Sequence, residues 1–192
     1  MRIVIVDDSG LRATVLEEGL REAGYDDIHV VPPQSGFVAR LERMAPDVVL
    51  MDLGSPSRDT LEEMLAVSRA LARPIAMFVD QSDEVMIGAA IDAGVSAYVV
   101  DGLRKERVKP VLDLAIRRFN AFAKMQSELQ EARTALAERK TIDRAKAILM
   151  NTRKLSEADA YALLRSTAMS QNRRIVEVAE ALITASDLLG GS

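Results

Sequence analysis

The sequence predicts an α/β domain with a doubly wound, five-stranded parallel sheet, followed by a long helix and a small all-helical domain. Three observations support this fold class. Over about the first 110 residues, short Val/Ile/Leu-rich runs alternate with helical patterns, which is typical of βα units around a parallel sheet. From about residue 104 to residue 139 the pattern becomes one long helix, and the residues that follow show only helical patterns.

Five apolar runs are the predicted strands: Arg2–Val6, Ile28–Val31, Asp47–Met51, Ile75–Val79 and Ala97–Val100. The segments between them repeat apolar residues at helical spacing and are predicted helices: Leu11–Ala23, Gly36–Met44, Thr60–Leu71 and Glu84–Ala93. Gly24 and Gly94 follow two of these helices and are candidate C-terminal stops, and Ser35 is a candidate N-cap. Five repeats of this kind fit a doubly wound sheet, and we assign residues 1–120 to this domain.

The long helix carries a heptad pattern. Its apolar residues follow spacings of three and four and form a candidate dimer seam: Phe122, Met125, Leu129, Ala132 and Leu136. Ile116 and Phe119 extend the pattern, and Pro110 lies near the helix start, where a missing N–H costs least. An ordinary amphipathic helix packed on its own domain is the alternative. We favour a coiled coil with a second chain and assign residues 111–138 to it.

Residues 139–192 read as a domain of three helices: Thr141–Met150, Ser156–Ala168 and Arg174–Leu188. Ser156 is placed to cap the second of them, and Asp159, three residues later, imitates a capping box.

Composition excludes several function classes. The chain has 192 residues, no cysteine and a single histidine, His29. The lack of cysteine rules out disulfide scaffolds, iron–sulfur clusters and thiolate zinc sites, and one histidine argues against a zinc enzyme. No apolar run approaches a membrane span, and the N-terminus turns acidic too early for a signal peptide. We expect a cytoplasmic protein that does not contact membranes.

Charge is divided unevenly along the chain. The net charge of −4 separates into +2 over residues 138–192 and −6 over the remainder. Between residues 139 and 174 there are nine basic residues and three acidic ones. A basic segment on an acidic body suggests contact with a polyanion, although a solvated helical face remains the alternative.

Three carboxylates are predicted to converge at one edge of the sheet. Asp7 and Asp8 end the first strand and Asp52 follows the third. Ligands of open parallel sheets bind beyond the carboxyl ends of the strands, and clustered carboxylates are costly unless a cation such as Mg²⁺ neutralises them. Asp7, Asp8 and Asp52 are therefore candidate metal ligands, and one of them is a candidate for phosphorylation.

Residues 1–120 resemble the response-regulator receiver domain. Four segments carry the resemblance: IVIVDDS at 3–9, DVVLMDL at 47–53, PIAMFVD at 74–80 and GVSAYVVDGL at 94–103. The first two look like the acidic pair and the phospho-acceptor strand of that family. The resemblance therefore implies that Asp52 is the phospho-acceptor.

Two positions depart from that family. Val79 stands where the family has a switch Ser or Thr, and Asp101 stands where it has a near-invariant Lys. Valine cannot hydrogen-bond a phosphoryl oxygen and Asp101 would repel one. Tyr98 occupies the position of the family's switch aromatic, but we expect an ordinary half-buried strand residue. We therefore favour a pseudo-receiver controlled by protein contact, with no required cofactor and only weak Mg²⁺ binding. A phosphorylated response regulator is the alternative.

The basic segment carries a longer motif. It reads R-x-x-I-x-x-A-K-x-x-L-M over Arg139–Met150, L-S-E over Leu155–Glu157 and A-Y-x-x-L-R-x-x-A-M over Ala160–Met169. This run is similar to the ANTAR domain, the RNA-binding module of the AmiR/NasT antiterminators. Ala147 stands where that family often has glycine, a change that should favour the helix.

The resemblance implies transcription antitermination. Such proteins bind paired hairpins in a nascent leader transcript and prevent a terminator from forming, so a homodimer would be the active state. The VVDGL ending at residues 99–103 resembles the nitrate-responsive NasT branch, whose members are held inactive by a sensor protein. A DNA-binding regulator and a protein-interaction adaptor are the competing hypotheses, and no enzymatic activity or DNA contact is expected.

Basic residues of the motif are the candidate RNA contacts, because Lys and Arg neutralise the phosphates that flank a hairpin loop. Lys146, Arg144 and Lys140 are the leading candidates. The full set, with Ala145 as a point of close approach, is Arg139, Lys140, Arg144, Ala145, Lys146, Arg153, Lys154, Arg165, Arg173 and Arg174.

Each candidate RNA contact has a structural alternative. The arginines and lysines can form ion pairs along a solvated helix, such as Arg144 with Glu138, Lys140 with Asp143, or Arg165 with a nearby acid. Ala145 equally suits helix packing. Tyr161 can stack on a base, but it is the only aromatic of this segment, and we expect it in the small core.

Overall fold

The computed structural model describes residues 1–7, 10–33, 37–53, 62, 66–68 and 70–189. The chain forms two compact units, a sheet unit, Met1–Ala123, and a helical unit, Lys124–Ser192. None of the helices among these residues is long and apolar enough to cross a membrane.

The sheet unit contains a five-stranded parallel sheet, as predicted. Its strands are β1 Ile3–Asp7, β2 Ile28–Val31, β3 Val48–Asp52, β4 Ile75–Val79 and β5 Ala97–Val100. Their order across the sheet is β2-β1-β3-β4-β5, which is the flavodoxin-like order. Three strands, β1, β3 and β4, are buried along their whole length, because helices cover both faces of the sheet.

Helices α1 Leu11–Glu22, α2 Phe37–Met44 and α3 Glu84–Asp92, with the start of α4 Lys105–Arg153, pack around the sheet. Alternate residues of β1 belong to different cores. Val4 and Val6 lie in one apolar cluster with α2, while Ile3 and Ile5 lie in the other with α1 and the start of α4. The period-two alternation of strand side chains thus builds two cores from one sheet.

Both predicted helix stops are observed. Gly24 and Gly94 follow α1 and α3 with φ angles of +86° and +84°, a conformation that favours glycine. Asp83 caps α3 by accepting a hydrogen bond of 2.8 Å from the N–H of Met86. The candidate N-cap Ser35 and most of the predicted helix Thr60–Leu71 lie outside the described residues.

Helix α4 is longer than the sequence pattern indicated. It runs without interruption through 49 residues, so the predicted break between residues 139 and 141 is wrong. Residues 111–153 contain neither glycine nor proline, and nothing in their chemistry ends a helix there. Pro110 lies in the second turn of α4, where its missing N–H removes one intrahelical hydrogen bond.

The helical unit consists of the last part of α4, α5 Glu157–Ser170 and α6 Ile175–Leu189. Small and aliphatic residues form its core: Ala145, Leu149, Ala160, Leu164, Ala168, Val178 and Ala179. Ser156 caps α5, as predicted, by accepting a 3.1 Å hydrogen bond from the N–H of Asp159.

Candidate acidic pocket and nucleic-acid interface

The acidic pocket lies at the carboxyl ends of β1 and β3. Asp7 and Asp52 are register partners on these adjacent parallel strands, and both side chains are buried. One carboxylate oxygen of Asp7 accepts hydrogen bonds from the N–H groups of Gly10, at 2.7 Å, and Ala13, at 3.1 Å. Gly10 directly precedes α1 and Ala13 lies in its first turn, so Asp7 holds the start of that helix. The third candidate, Asp8, lies outside the described residues.

Arg12 of α1 enters the pocket and binds Asp52 with two nitrogens. Its Nε donates a hydrogen bond of 2.8 Å to one oxygen of Asp52, and an Nη lies 2.7 Å from the other. The second Nη donates to Asp80, directly after β4. The hydrogen bond to Asp52 raises the pKa of Arg12 above its ordinary value, against the opposing effect of burial, and Asp80 raises it further.

This arrangement does not fit a divalent cation bound to Asp52. Both oxygens of that carboxylate lie against the guanidinium of Arg12, so a metal bound there would be placed next to a second positive charge. Within the described ranges, no group of three or more acidic or histidine side chains is arranged to hold a metal ion.

The two departures from the receiver pattern flank the same end of the sheet. Val79 is buried at the end of β4, and Asp101 is exposed directly after β5, where its N–H donates to the carbonyl of Val79. Tyr98 is half-buried in β5, as expected, and shares a 2.8 Å hydrogen bond with the hydroxyl of Ser82.

Several predicted RNA contacts of the helical unit form ion pairs. Lys146 Nζ lies 2.7 Å from a carboxylate oxygen of Asp143 and 2.7 Å from one of Glu157, and its side chain is only 14% exposed. The hydrogen bond with Asp143 raises the pKa of Lys146, and the same bond lowers the pKa of Asp143. Arg144 binds both oxygens of Asp187, at 2.8 and 3.1 Å.

Three more candidates have acidic neighbours. Arg174 donates to Glu138 at 2.6 Å. Arg173 and Arg139 make longer pairs, of 3.5 Å with Glu177 and 3.9 Å with Asp143. The pairs of Arg144 with Glu138 and of Lys140 with Asp143, which the sequence suggested, are not the ones that form, because both acids bind other cations.

Four candidates remain exposed with no carboxylate within ion-pair distance in the part of the chain that the structure describes: Lys140, Arg153, Lys154 and Arg165. Lys140 lies on α4 and Arg165 on α5, while Arg153 and Lys154 lie where α4 ends. Their charges are available to a polyanion without the loss of an internal ion pair.

Ala145 and Tyr161 do not lie where the sequence predicted them. Ala145 is fully buried in the core of the helical unit, so its expected RNA contact is wrong and its small side chain serves helix packing. Tyr161 is 45% exposed and lines a groove between α4 and α5, beside Met150 and Arg139, so its expected place in the core is wrong. The buried side chains of that core are alanine, leucine and valine.

The candidate dimer seam is exposed on α4. Phe122, Met125, Leu129 and Leu136 each show about half of their surface or more to solvent, and Ala132 is exposed as well. A row of large apolar side chains without cover is costly in water.

Comparison with known families matches both units. Residues 3–113 match the response regulator receiver domain, and residues 130–183 match the ANTAR domain. The transcriptional regulatory protein PdtaR of Mycobacterium tuberculosis is 29% identical over 182 residues, which cover 95% of this chain and 89% of that protein. A nitrate regulatory protein of Klebsiella oxytoca is 29% identical over 126 residues, which cover 65% of this chain and 31% of that protein.

Solved structures agree on the fold of the sheet unit. The signal receiver domain of a modulated diguanylate cyclase from Desulfovibrio desulfuricans G20 aligns with a TM-score of 0.53 and 21% identity, over 62% of this chain and 95% of that one. A CheY-like receiver domain from Methanospirillum hungatei JF-1 gives a TM-score of 0.53 and 17% identity, over 62% and 96%. With its parallel sheet, its acidic pocket and the two matched domains, the chain belongs to the response regulators, as a receiver domain followed by an ANTAR domain.

Proposed function

We propose that this protein regulates transcription by antitermination, through binding of its ANTAR domain to paired hairpins in a nascent leader RNA. The observation that carries the proposal is the set of exposed cations within the ANTAR domain that have no ion pair among the described residues: Lys140, Arg153, Lys154 and Arg165. Hairpin loops present unstacked bases between phosphates, and these cations supply the phosphate contacts. A second group of candidates forms internal ion pairs and must release a carboxylate partner before it can bind RNA: Arg144, Lys146, Arg173, Arg174 and Arg139.

A homodimer is part of the proposal, because two hairpins require two ANTAR domains on one assembly. The seam of Phe122, Met125, Leu129, Ala132 and Leu136 supplies the apolar surface for it, with the three- and four-residue spacing of a coiled coil. Two domains linked in this way bind two linked hairpins far more tightly than either does alone.

Control by a protein partner in the cytoplasm, with no cofactor, completes the proposal. The NasT-like ending of the receiver and the similarity to a nitrate regulatory protein suggest genes of nitrate or nitrite assimilation and an inhibitory sensor protein. Phosphorylation of Asp52, with Mg²⁺ at Asp7, Asp8 and Asp52, is the alternative, which the receiver match favours. The guanidinium on Asp52 argues against it.

Equilibrium binding to a two-hairpin leader RNA tests the proposal. A Lys140→Ala/Arg165→Ala double variant should bind more weakly and with a shallower salt dependence. The logarithmic slope should decrease by about 0.7 for each single-strand phosphate that the variant no longer neutralises. Arg104→Ala/Arg117→Ala is a matched control, because it removes two exposed arginines of the sheet unit that lack ion pairs among the described residues.

Three results would contradict the proposal. One is equal binding by the double variant and the wild type, another is equal affinity for one hairpin and for two, and the third is tighter binding to duplex DNA. The last would favour a DNA-binding regulator.

A further inference from the structure

The receiver domain carries its own cation in the acidic pocket. We propose that Arg12 takes the place on Asp52 that a divalent cation would need, so that this receiver is closed to metal ions and to phosphoryl donors. The inference concerns the sheet unit alone and does not depend on RNA binding.

The geometry of the guanidinium supports this assignment. Arg12 meets Asp52 through Nε at 2.8 Å and Nη at 2.7 Å, one nitrogen for each oxygen. Nε makes the directional hydrogen bond, and the short contact of Nη with the second oxygen adds electrostatic attraction between the guanidinium and the carboxylate. The other Nη is engaged by Asp80, so all three nitrogens of the group have acidic partners.

Burial makes the pair difficult to replace. Asp52 is 0% exposed, and a carboxylate at that depth is stable as an anion only with a compensating charge and hydrogen bonds. Arg12 supplies both. A divalent cation would need an oxygen of Asp52 as a ligand, and its entry would leave the guanidinium against a second positive charge.

The position of Arg12 links three elements at the pocket. It lies in the first turn of α1, Asp52 ends β3, and Asp80 follows β4. Asp7, at the end of β1, holds the same helix turn by its amides. The guanidinium of Arg12 is therefore held in place by the first turn of α1. The hydrogen bonds to Asp7 fix the start of that helix at the pocket.

Among the described residues, the two positions that depart from the receiver pattern supply no replacement for this cation. The side chain of Val79 has no polar atom, and Asp101 adds a negative charge where the receiver pattern has a lysine. A pocket with this composition needs a positive charge from elsewhere in the chain, and Arg12 provides it.

Binding of Mn²⁺, followed by the EPR signal of the free ion, tests the proposal in the full chain. The wild type should leave Mn²⁺ unbound up to millimolar concentrations. Arg12→Ala should bind it at least about tenfold more tightly, and adding Asp52→Asn should abolish that gain. Arg21→Ala is the matched control, because Arg21 is an exposed arginine of the same helix that pairs with Glu17, away from the pocket; it should behave like the wild type.

Two results would overturn the proposal. The first is wild-type Mn²⁺ binding that matches that of Arg12→Ala and is lost in Asp52→Asn. The second is a folded Arg12→Ala, by circular dichroism, that gains no Mn²⁺ binding.

A measurement on the wild type covers the case in which Arg12→Ala does not fold. The ¹⁵N resonance of Arg12 Nε, assigned with Arg12→Lys, should not move on addition of millimolar Mg²⁺. A Mg²⁺-dependent shift of that resonance, absent in Asp52→Asn, would overturn the proposal.

Discussion

Lys146 of α4 and Glu157 of α5 form an ion pair of 2.7 Å across the turn that joins the two helices. Lys146 also binds Asp143 one turn earlier on its own helix, and little of its side chain is exposed. The position that the motif placed first among RNA contacts therefore also fastens α5 to α4. Its contribution to stability and its contribution to binding have to be measured separately.

Lys146→Ala should lower the urea midpoint of the ANTAR domain, because Asp143 and Glu157 lose their shared cation. Lys140→Ala should leave the midpoint unchanged and weaken RNA binding, because Lys140 has no ion pair among the described residues. Circular dichroism in urea and RNA titrations on both variants make the comparison. A midpoint that falls equally in both would be the contrary result.

The ion pair between Asp143 and Lys146 also predicts that stability depends on pH. Asp143 has a pKa lowered from its ordinary value of 3.8, chiefly by its hydrogen bond with Lys146. A lowered folded-state pKa contributes stability that is present above the ordinary value and is lost as the pH falls through the folded value. The raised pKa of Lys146 adds stability that is present below 10.5 and is lost above the folded value. Asp143→Asn should reduce the fall of the urea midpoint at acid pH. An unchanged pH dependence in this variant would show that Asp143 is not its cause.

Ala145→Leu should destabilise the ANTAR domain by about 1–3 kcal/mol, because a larger side chain does not fit a close-packed core. Ala145 of α4 is 0% exposed and lies in the core of the helical unit. Ala147→Leu, two residues along the same helix and exposed, is the control and should change stability little. Urea unfolding of both variants tests this, and equal midpoints would show that Ala145 lies in a looser environment.

Replacement of two helical glycines by alanine should change the stability of the receiver in opposite directions. A Cβ at Gly19 would lie 2.9 Å from the carbonyl oxygen of Lys105 and 2.9 Å from a methyl group of Val108, so Gly19→Ala should destabilise the receiver. A Cβ at Gly88 meets no atom within 4 Å, so Gly88→Ala should stabilise it by about 0.5–1 kcal/mol through helix propensity. Thermal unfolding gives both signs, and stabilisation by Gly19→Ala would contradict the close packing of α1 on α4.

Leu129→Glu should shift the protein towards monomer, because it places a charge in the middle of the proposed seam. Gln130→Glu adds the same charge on the neighbouring position outside the 3-4 pattern and should leave the dimer intact. Sedimentation velocity over a concentration series measures both. A wild type that is monomeric when bound to a two-hairpin RNA would remove the basis for the seam.

The strands and helix ends of the sheet unit are predictable because each is determined by residues that are close together in the sequence. Each strand is an apolar run, and the stops at Gly24 and Gly94 follow from the φ angles that only glycine adopts easily. The continuous helix through residues 139–141 is harder to predict, because the charge pattern changes there and suggests a boundary, although no helix-breaking residue is present.

The pockets are less predictable, because their contacts join distant parts of the chain. Asp52 can be found from its strand, but Arg12 pairs with it across 40 residues and carries no signal beyond being a basic residue soon after Asp7. In the same way Arg144 meets Asp187, 43 residues away, whereas helical spacing suggests only neighbours on the same helix. The aromatic character of Tyr161 suggests burial, but its ring is 45% exposed and lies outside the alanine-rich core.

Asp7 accepts two amide hydrogen bonds at the start of α1, so its carboxylate is a folding element whatever the pocket binds. A receiver domain that is no longer phosphorylated would still need this aspartate to hold the start of α1. An aspartate at the end of the first strand therefore reports that a helix is tethered there. Such an aspartate is a poor indicator of phosphorylation. The residue that pairs with Asp52 is the more informative one to identify.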